Sequence, residues 1–146
     1  MTALFAFVSI APCLATAQDD YKFKDGEGNE ITFPKDVPAY SAKNPGPWKG
    51  LEAIHHPEVS SHLRKQGLEA VRILKIKIPH PMKEDEKGRI QAVYVFDKDR
   101  YVIGYHPFKM GERDAEAEIW INGIVNYVVI CVHCTRHGMW FTEVRL

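Results

Sequence analysis

Two cysteines and two histidines lie close together near the end of the chain, in the segment CVHCTRHGMWF from Cys131 to Phe141. Cys134 and His137 have a Cys-x-x-His spacing, which lets a thiolate and an imidazole converge on one metal ion. The glycine that follows, Gly138, permits a tight backbone at this point. A thiolate combined with imidazoles suits zinc, iron or copper rather than calcium or magnesium. The segment is therefore predicted to form half of a metal site.

The other half of such a site must come from histidines elsewhere in the chain. His80 and one member of the pair His55 and His56 lie in proline-bounded loops beside strand ends. Prolines restrict such loops and reduce the entropy that is lost when ligands are fixed. His62 and His106 are further donors by residue type, although a single histidine is more often a surface or hydrogen-bonded residue. Residue spacing alone does not decide which of these histidines complete the metal site.

The elements that position these residues are predicted to be strands. Short β-branched or aromatic segments alternate with charged or glycine-containing turns at 68–79, 89–96, 100–105, 115–121, 126–134 and 140–146. This pattern predicts an all-β, immunoglobulin-like antiparallel β-sandwich with metal-binding loops at one end, with a barrel as the alternative. Residues 21–34 read as a hairpin and 35–50 as a loop or extended connector. Pro57–Gly67 is predicted to be the one short helix.

Strand alternation separates the two cysteines. In NYVVICVHC, which ends at Cys134, Cys131 shares one face with His133, while Cys134 lies on the opposite face. A disulfide between the two cysteines would require the strand to break. Thr135 stands where haem attachment would need a histidine. Cys131 is therefore expected to be a buried structural thiol.

The first twenty residues have the character of an export signal. The segment is apolar from Ala3 to Ala15 and contains no charge before Asp19. We expect a signal peptide over 1–17 with cleavage before Gln18, and a buried N-terminal helix is the alternative. The apolar run is too short to span a bilayer. Periplasmic or otherwise exported localisation follows, with no membrane span in the mature chain.

The overall charge is balanced, with nineteen basic and nineteen acidic residues, so nothing indicates a nucleic-acid partner. The length favours a single folded domain. We divide the remaining chain into an N-terminal extension and connector over 18–47 and a β-sandwich over 48–146.

Three segments resemble one known family. CTRHGMW is similar to the Cys-x-x-His-Gly-x-Trp signature of superoxide reductases, the neelaredoxin and desulfoferrodoxin family. IPHPM resembles that family's Pro-His-Pro-Met loop, and HHP resembles its His-x-Pro loop. The three occur in the family's order between Trp48 and Leu146. The resemblance implies an immunoglobulin-like β-sandwich that holds one non-haem iron through four equatorial histidines and one axial thiolate.

The resemblance also assigns the ligands. Cys134 would be the axial thiolate, and His55, His80 and His137 would be three of the four histidines. The family's fourth histidine corresponds to Glu86. Either Glu86 binds iron directly, or it stays in solvent and His56 or His62 takes its place. Zinc and copper remain alternatives to iron.

A second departure from the family concerns the substrate. The family's Glu-Lys pair before the first histidine is replaced here by Ala53 and Ile54. Lys49, Lys83 and Glu52 are the predicted catalytic residues. Lys49 and Glu52 could occupy the space of the missing pair, and Lys49 or Lys83 could supply the positive charge that attracts superoxide.

Two functions follow from the resemblance and its departures. The first is an exported superoxide reductase, which reduces superoxide to hydrogen peroxide with an external electron donor. The second is a non-enzymatic periplasmic metal-binding or redox-complex module on the same fold. Self-association into a homo-oligomer is a further expectation for either function.

Overall fold

The chain is organised almost entirely as strands. The computed structural model describes residues 22–25, 27–83 and 88–146. A 3₁₀ turn (Gly46–Trp48) and a single-turn helix α1 (Glu52–His55) precede the main strands. The strands of the described residues are β1 (Lys22–Lys24), β2 (Glu30–Thr32), β3 (Ala39–Tyr40), β4 (Glu58–Gln66), β5 (Glu69–Ile78), β6 (Ile90–Phe96), β7 (Val102–Pro107), β8 (Ala115–Asn122), β9 (Tyr127–Cys134) and β10 (Gly138–Arg145).

The strands form two main sheets and one hairpin. One sheet has five strands in the order β3-β10-β9-β6-β7, and the other has three in the order β4-β5-β8. Neighbouring strands are antiparallel, except that β3 runs parallel to β10. β1 and β2 form the predicted N-terminal hairpin. The predicted all-β sandwich is confirmed.

The main core lies between the two sheets. In β8, buried Ala115, Ala117, Ile119 and Ile121 alternate with exposed residues, as expected for a strand with one face in a core. They pack with Leu74 and Ile76 of β5 and with the inward side chains of β6 and β9. Burying each large aliphatic side chain contributes roughly 1.5–3 kcal/mol.

A second cluster covers the outer face of the five-stranded sheet. Phe33, from the N-terminal segment, packs there with Tyr94, Val129 and Cys131. β9 is therefore buried on both faces, which explains its nearly continuous apolar sequence. The described part of the extension thus contributes to the core, while the boundary between 47 and 48 stays a prediction.

The alternation predicted for β9 is confirmed. Cys134 belongs to the core between the sheets and Cys131 to the outer cluster. Cys134 carries a free thiol, so no disulfide joins it to Cys131. Cys131 is fully buried as expected, but it is disulfide-bonded, so the expectation of a thiol there is wrong.

The helix predicted over Pro57–Gly67 is wrong, because this segment forms β4. Each of its residues pairs with β5, from Glu58 opposite Lys77 to Gln66 opposite Glu69. A proline before a segment and a glycine after it are typical start and stop signals of a helix, but they also occur at the two ends of a strand in a β-hairpin. Gly67 has a φ of +64°, a conformation that suits the tight turn into β5.

No helix among the described residues is long and apolar enough to cross a membrane. The predicted signal peptide over 1–17 lies outside the described residues.

Candidate metal centre

Four side chains from distant parts of the sequence meet at one end of the sandwich. The donor atoms of His55, His80, Cys134 and His137 all lie within 4.8 Å of one another. All four residues are buried, although three of them carry polar rings that ordinarily favour the surface. Such a concentration of buried ligating groups has the composition of a metal site.

The ends of the strands bring the four residues together. Cys134 is the last residue of β9, and His137 immediately precedes β10. His80 follows the end of β5, two residues after Ile78, and His55 is the last residue of α1, just before β4 begins. The antiparallel order of β4, β5, β9 and β10 places these ends on the same side of the molecule.

The spacing of the donor atoms fits a shared ion. The Nε2 atom of His55 lies 3.2 Å from Nδ1 of His137. The Sγ atom of Cys134 lies 3.4 Å from that Nδ1 and 3.5 Å from Nε2 of His80. Bonds of about 2.1 Å to nitrogen and about 2.3 Å to sulfur place adjacent donors about 3.0–3.6 Å apart. The four residues therefore fit one metal ion without a large rearrangement.

Hydrogen bonds donated to backbone carbonyls determine which nitrogen of two imidazoles faces the site. Nδ1 of His55 donates to the carbonyl of Leu51 at 2.8 Å, and Nδ1 of His80 donates to the carbonyl of Pro81 at 2.6 Å. A carbonyl only accepts, so each ring carries a proton on Nδ1 and turns its Nε2 atom toward the site. Such outer hydrogen bonds orient ligating histidines in metal proteins.

Burial also shifts the pKa values of three of the four candidate ligands. It lowers the pKa of His55 to about 4, although the hydrogen bond to Leu51 acts in the opposite direction. Burial, and then the neighbouring His80, lowers the pKa of His137. Burial raises the pKa of the Cys134 thiol. The imidazoles of His55 and His137 are thus neutral and able to bind a metal at neutral pH, while metal binding must displace the Cys134 thiol proton.

Aromatic side chains hold two of the histidines in place. The ring of Trp140 stacks on that of His55 at a centroid distance of 4.4 Å and an interplanar angle of 4°. Nε1 of Trp140 also donates to the carbonyl of His137 at 3.1 Å. Trp48 packs edge-on against the His137 ring at 4.7 Å. Trp140 therefore supports ligands that come from two different elements.

The N-terminal extension packs against Trp140 and Gly138 and so supports this arrangement. Tyr40 packs against Trp140 with ring centroids 5.7 Å apart. Gly138, with a φ of +78°, lies against the same tyrosine, and a Cβ atom there would approach the Pro38 carbonyl to 2.6 Å. The glycine after the Cys-x-x-His spacing is thus required both by its backbone conformation and by the close approach of the extension.

Replacing Trp140 by phenylalanine should lower metal affinity by about 10-fold, because the hydrogen bond to His137 is lost while part of the stack on His55 remains. Trp120→Phe is the matched control. Trp120 is 45% exposed and its Nε1 donates to Glu118, away from the four ligands. Competitive titration of both variants with a chelator measures the effect. Equal affinities in the two variants would contradict a supporting role for Trp140.

The structure does not bring every candidate histidine to the centre. His56 and His62 are exposed, and neither belongs to the group of four. His106 packs its ring against Phe108 at 4.8 Å. Among the described residues, the centre therefore consists of three histidines and one cysteine.

The predicted catalytic residues lie on the loops that carry the ligands. Lys49 and Lys83 are exposed, and they stand on the segments that lead to His55 and away from His80. Glu52 accepts a hydrogen bond from the Gly50 amide at 2.7 Å. Glu86, predicted as a further ligand, lies outside the described residues. The roles of these residues stay predictions.

Sequence reasoning missed several supporting groups. The contact of Trp48 with His137, the Leu51 carbonyl and the packing of Tyr40 all depend on the fold rather than on local spacing. The helix α1, which positions His55, is only four residues long and follows a segment rich in proline and glycine. The prolines and glycines around Trp48 indicated only a loop or extended connector.

Two solved structures are similar to this chain. A superoxide reductase from Nanoarchaeum equitans is 22% identical with a TM-score of 0.50, over 64% of this chain and 94% of that protein. A superoxide reductase structure in the oxidised state is 18% identical with a TM-score of 0.49, over 74% of this chain and 95% of that one. No family model and no curated protein matches the chain. The first likeness shows that the chain has the fold of a superoxide reductase.

Proposed function

We propose that the chain is an oxidoreductase of the superoxide reductase type, with one non-haem iron held by His55, His80, Cys134 and His137. The observation that carries this proposal is the buried group of three imidazoles and one thiol at one end of a superoxide-reductase-like sandwich. The donor set suits iron, and the spacing of the donors fits one ion.

Each protein group has a separate role in this proposal. Iron bound here would supply the electron that, together with two protons from solvent, converts superoxide to hydrogen peroxide. The three imidazoles would keep the ion in place, because two of them are fixed by hydrogen bonds to backbone carbonyls. The Cys134 thiolate would donate electron density to bound iron and make it a better reductant. The apolar surroundings of Cys134 protect that thiolate from solvent.

The substrate is an anion, so positive charge near the centre favours its approach. Lys49 and Lys83 are the proposed sources of this charge, and both are exposed on segments adjoining ligands. Glu52 is proposed to hold the loop before α1, since its carboxylate accepts a hydrogen bond from the Gly50 amide. The electron that restores the reduced centre comes from an external donor.

Glu86 is the proposed further ligand. A carboxylate at this place would favour ferric iron and lower the potential relative to a fourth imidazole. If Glu86 instead stays in solvent, His56 or His62 would have to move toward the centre from the exposed positions that they occupy. The iron affinities of Glu86→Gln and His56→Ala distinguish these alternatives.

The reaction is tested by its stoichiometry. The iron-loaded protein is reduced without oxygen and then mixed rapidly with superoxide while product and the visible spectrum are followed. Reduction gives one hydrogen peroxide for each superoxide and no oxygen, whereas dismutation gives half as much peroxide together with oxygen. One peroxide per superoxide, with oxidation of the centre, supports the proposal. Superoxide that disappears no faster than without protein would overturn it.

A non-enzymatic metal-binding or redox-complex module is the second candidate function. It is favoured by Ala53 and Ile54, which replace the family's charged pair directly before His55. Such a module would bind iron, zinc or copper at the same four residues without turning over superoxide. Tight zinc binding, together with no ferric thiolate band after iron loading, would support it.

We also propose that the chain is exported and matures by cleavage before Gln18. Cleavage there removes Cys13, so the disulfide at Cys131 would belong to the uncleaved chain and the mature chain would carry Cys131 as a buried thiol. The apolar first segment and its small residues before the cleavage point support this proposal. Mass spectrometry of the protein recovered from a periplasmic extract tests it. A mature chain that begins at Gln18 is expected, and recovery of the intact chain from the cytoplasm alone would contradict export.

A further inference from the structure

The three-stranded sheet has a long open edge. Its order is β4-β5-β8, so β4 pairs with β5 on one side and with no described strand on the other. β4 is nine residues long, contains no proline or glycine, and pairs with β5 without a register shift. Natural proteins usually shorten, bend or cover such an edge, because its free amide and carbonyl groups readily pair with another strand.

The side chains of β4 are unusually open to solvent. Seven of the nine residues are exposed, and only Val59 and Ser61 are half-buried. Leu63 is 57% exposed, although it points to the same face of the sheet as Val59, which packs against the core. An apolar side chain in the middle of an open edge lacks the cover that neighbouring core residues have.

Charges on the opposite face form a row that ends at this edge. Glu116 of β8, Lys77 of β5 and Glu58 of β4 stand in register across the three strands. Lys77 and Glu116 form an ion pair of 3.2 Å. The signs alternate along the row, and Glu58 is its last member. A positive residue on an added strand would continue the alternation.

A second copy of β4 can supply this positive residue. In a twofold antiparallel pair, residues directly opposite each other lie on the same face of the joined sheet. A pair centred on Ser61 places Glu58 opposite Arg64 and Val59 opposite Leu63, each twice. A pair centred on His62 instead places Val59 opposite Lys65. The register centred on Ser61 therefore matches both opposite charges and apolar side chains.

We propose that β4 pairs antiparallel with β4 of a second copy of this chain, about a twofold axis at Ser61. The two three-stranded sheets then form one continuous sheet in the order β8-β5-β4-β4-β5-β8. Arg64 remains on the face where its guanidinium lies over the Trp120 ring at 5.7 Å, and it extends the charge row of the partner. Leu63 is covered by Val59 of the partner.

This pairing leaves the metal centres accessible. The four ligands lie at the end of the sandwich where β4 begins, so antiparallel pairing sends the two centres to opposite ends of the joined sheet. The interface uses none of the four ligands. Metal binding and self-association are therefore independent properties of the chain, and each can be lost without the other.

The test compares two exposed leucines. Leu63→Lys places a charge within the edge, whereas Leu68→Lys changes a fully exposed residue in the β4–β5 turn. Light scattering after size-exclusion chromatography should show a dimer for the unchanged chain and for Leu68→Lys. Leu63→Lys should raise the dimer dissociation constant by about 10-fold or more, because two equivalent contacts are lost at once.

Two further variants test the register. Glu58→Lys should weaken the dimer, and the exchange Glu58→Lys with Arg64→Glu should restore it. Ser61→Cys should form an interchain disulfide under mild oxidation, since opposed residues bring their Cα atoms within about 4.4–6.8 Å. Ser60→Cys, which lies opposite His62, should not. A monomeric unchanged chain at high micromolar concentration, equal weakening by the two lysine variants, or crosslinking through Ser60→Cys alone would overturn the proposal.

Discussion

Replacing Cys134 by serine is expected to abolish the visible band of the oxidised iron protein and to lower metal affinity by more than about 100-fold. Changes in groups that merely orient ligands cost about 10–100-fold, so loss of a ligand costs more. The Sγ atom lies within 3.5 Å of two histidine nitrogens, so no other described side chain replaces it without moving. Absorption spectra and chelator competition measure both effects.

The Cys134→Ser variant should still fold. The serine hydroxyl finds hydrogen-bond partners in the same two imidazoles, and the side chain is slightly smaller than the one it replaces. Thermal unfolding of the metal-free proteins serves as the control, with closely similar midpoints expected. A folded variant that retains both the band and the unchanged affinity would show that Cys134 is not a ligand.

Replacing His55 by alanine should lower metal affinity by more than about 100-fold, whereas His56→Ala should leave it unchanged. The two residues are adjacent in sequence but differ in their surroundings. His55 is 1% exposed and its Nε2 lies 3.2 Å from Nδ1 of His137, whereas His56 is exposed. Isothermal titration of the metal-free proteins compares the pair directly.

Comparing His55→Ala with His56→Ala also tests whether His56 is the further metal ligand in place of Glu86. Comparable losses in the two variants would mean that His56 moves to the metal when it binds, as the sequence-based alternative allows. A loss for His56→Ala alone would contradict the observed arrangement. Because the stack on Trp140 is also lost in His55→Ala, unfolding of the metal-free form should be measured in parallel.

The strands were predictable because their patterns are local. The alternation in β8 and the two faces of β9 follow from the period of an extended chain, and the structure confirms both. Burial of β9 on both faces was not predictable in the same way. It requires Phe33, about a hundred residues earlier in the chain, to cover the outer face.

The segment that became β4 shows where local signals fail. Proline before the segment and glycine after it suit a short helix, and the exposed, mixed side chains carry no clear period. Pairing of every β4 residue with β5 made this segment a strand, and tertiary pairing routinely overrides local propensity in strands. The helix α1 was missed because its four residues are too few to show a helical period.

The candidate site was predictable in its residue types but not in its support. Cysteine and histidine spacing, together with the family resemblance, pointed to the four side chains that the structure brings together. The Leu51 and Pro81 carbonyls determine which imidazole nitrogen faces the site. Their roles could not be predicted from residue spacing, because every residue has a carbonyl. The contacts of Trp48 and Tyr40 likewise follow only from the folded chain.

The most direct test of the metal centre is the metal content and visible spectrum of protein purified without added metal, before and after mild oxidation. The proposed function predicts about one iron per chain and a blue ferric thiolate band that develops on oxidation. Zinc, copper or no metal, with no such band after loading with iron, would contradict the central claim that these four residues form a redox-active iron site.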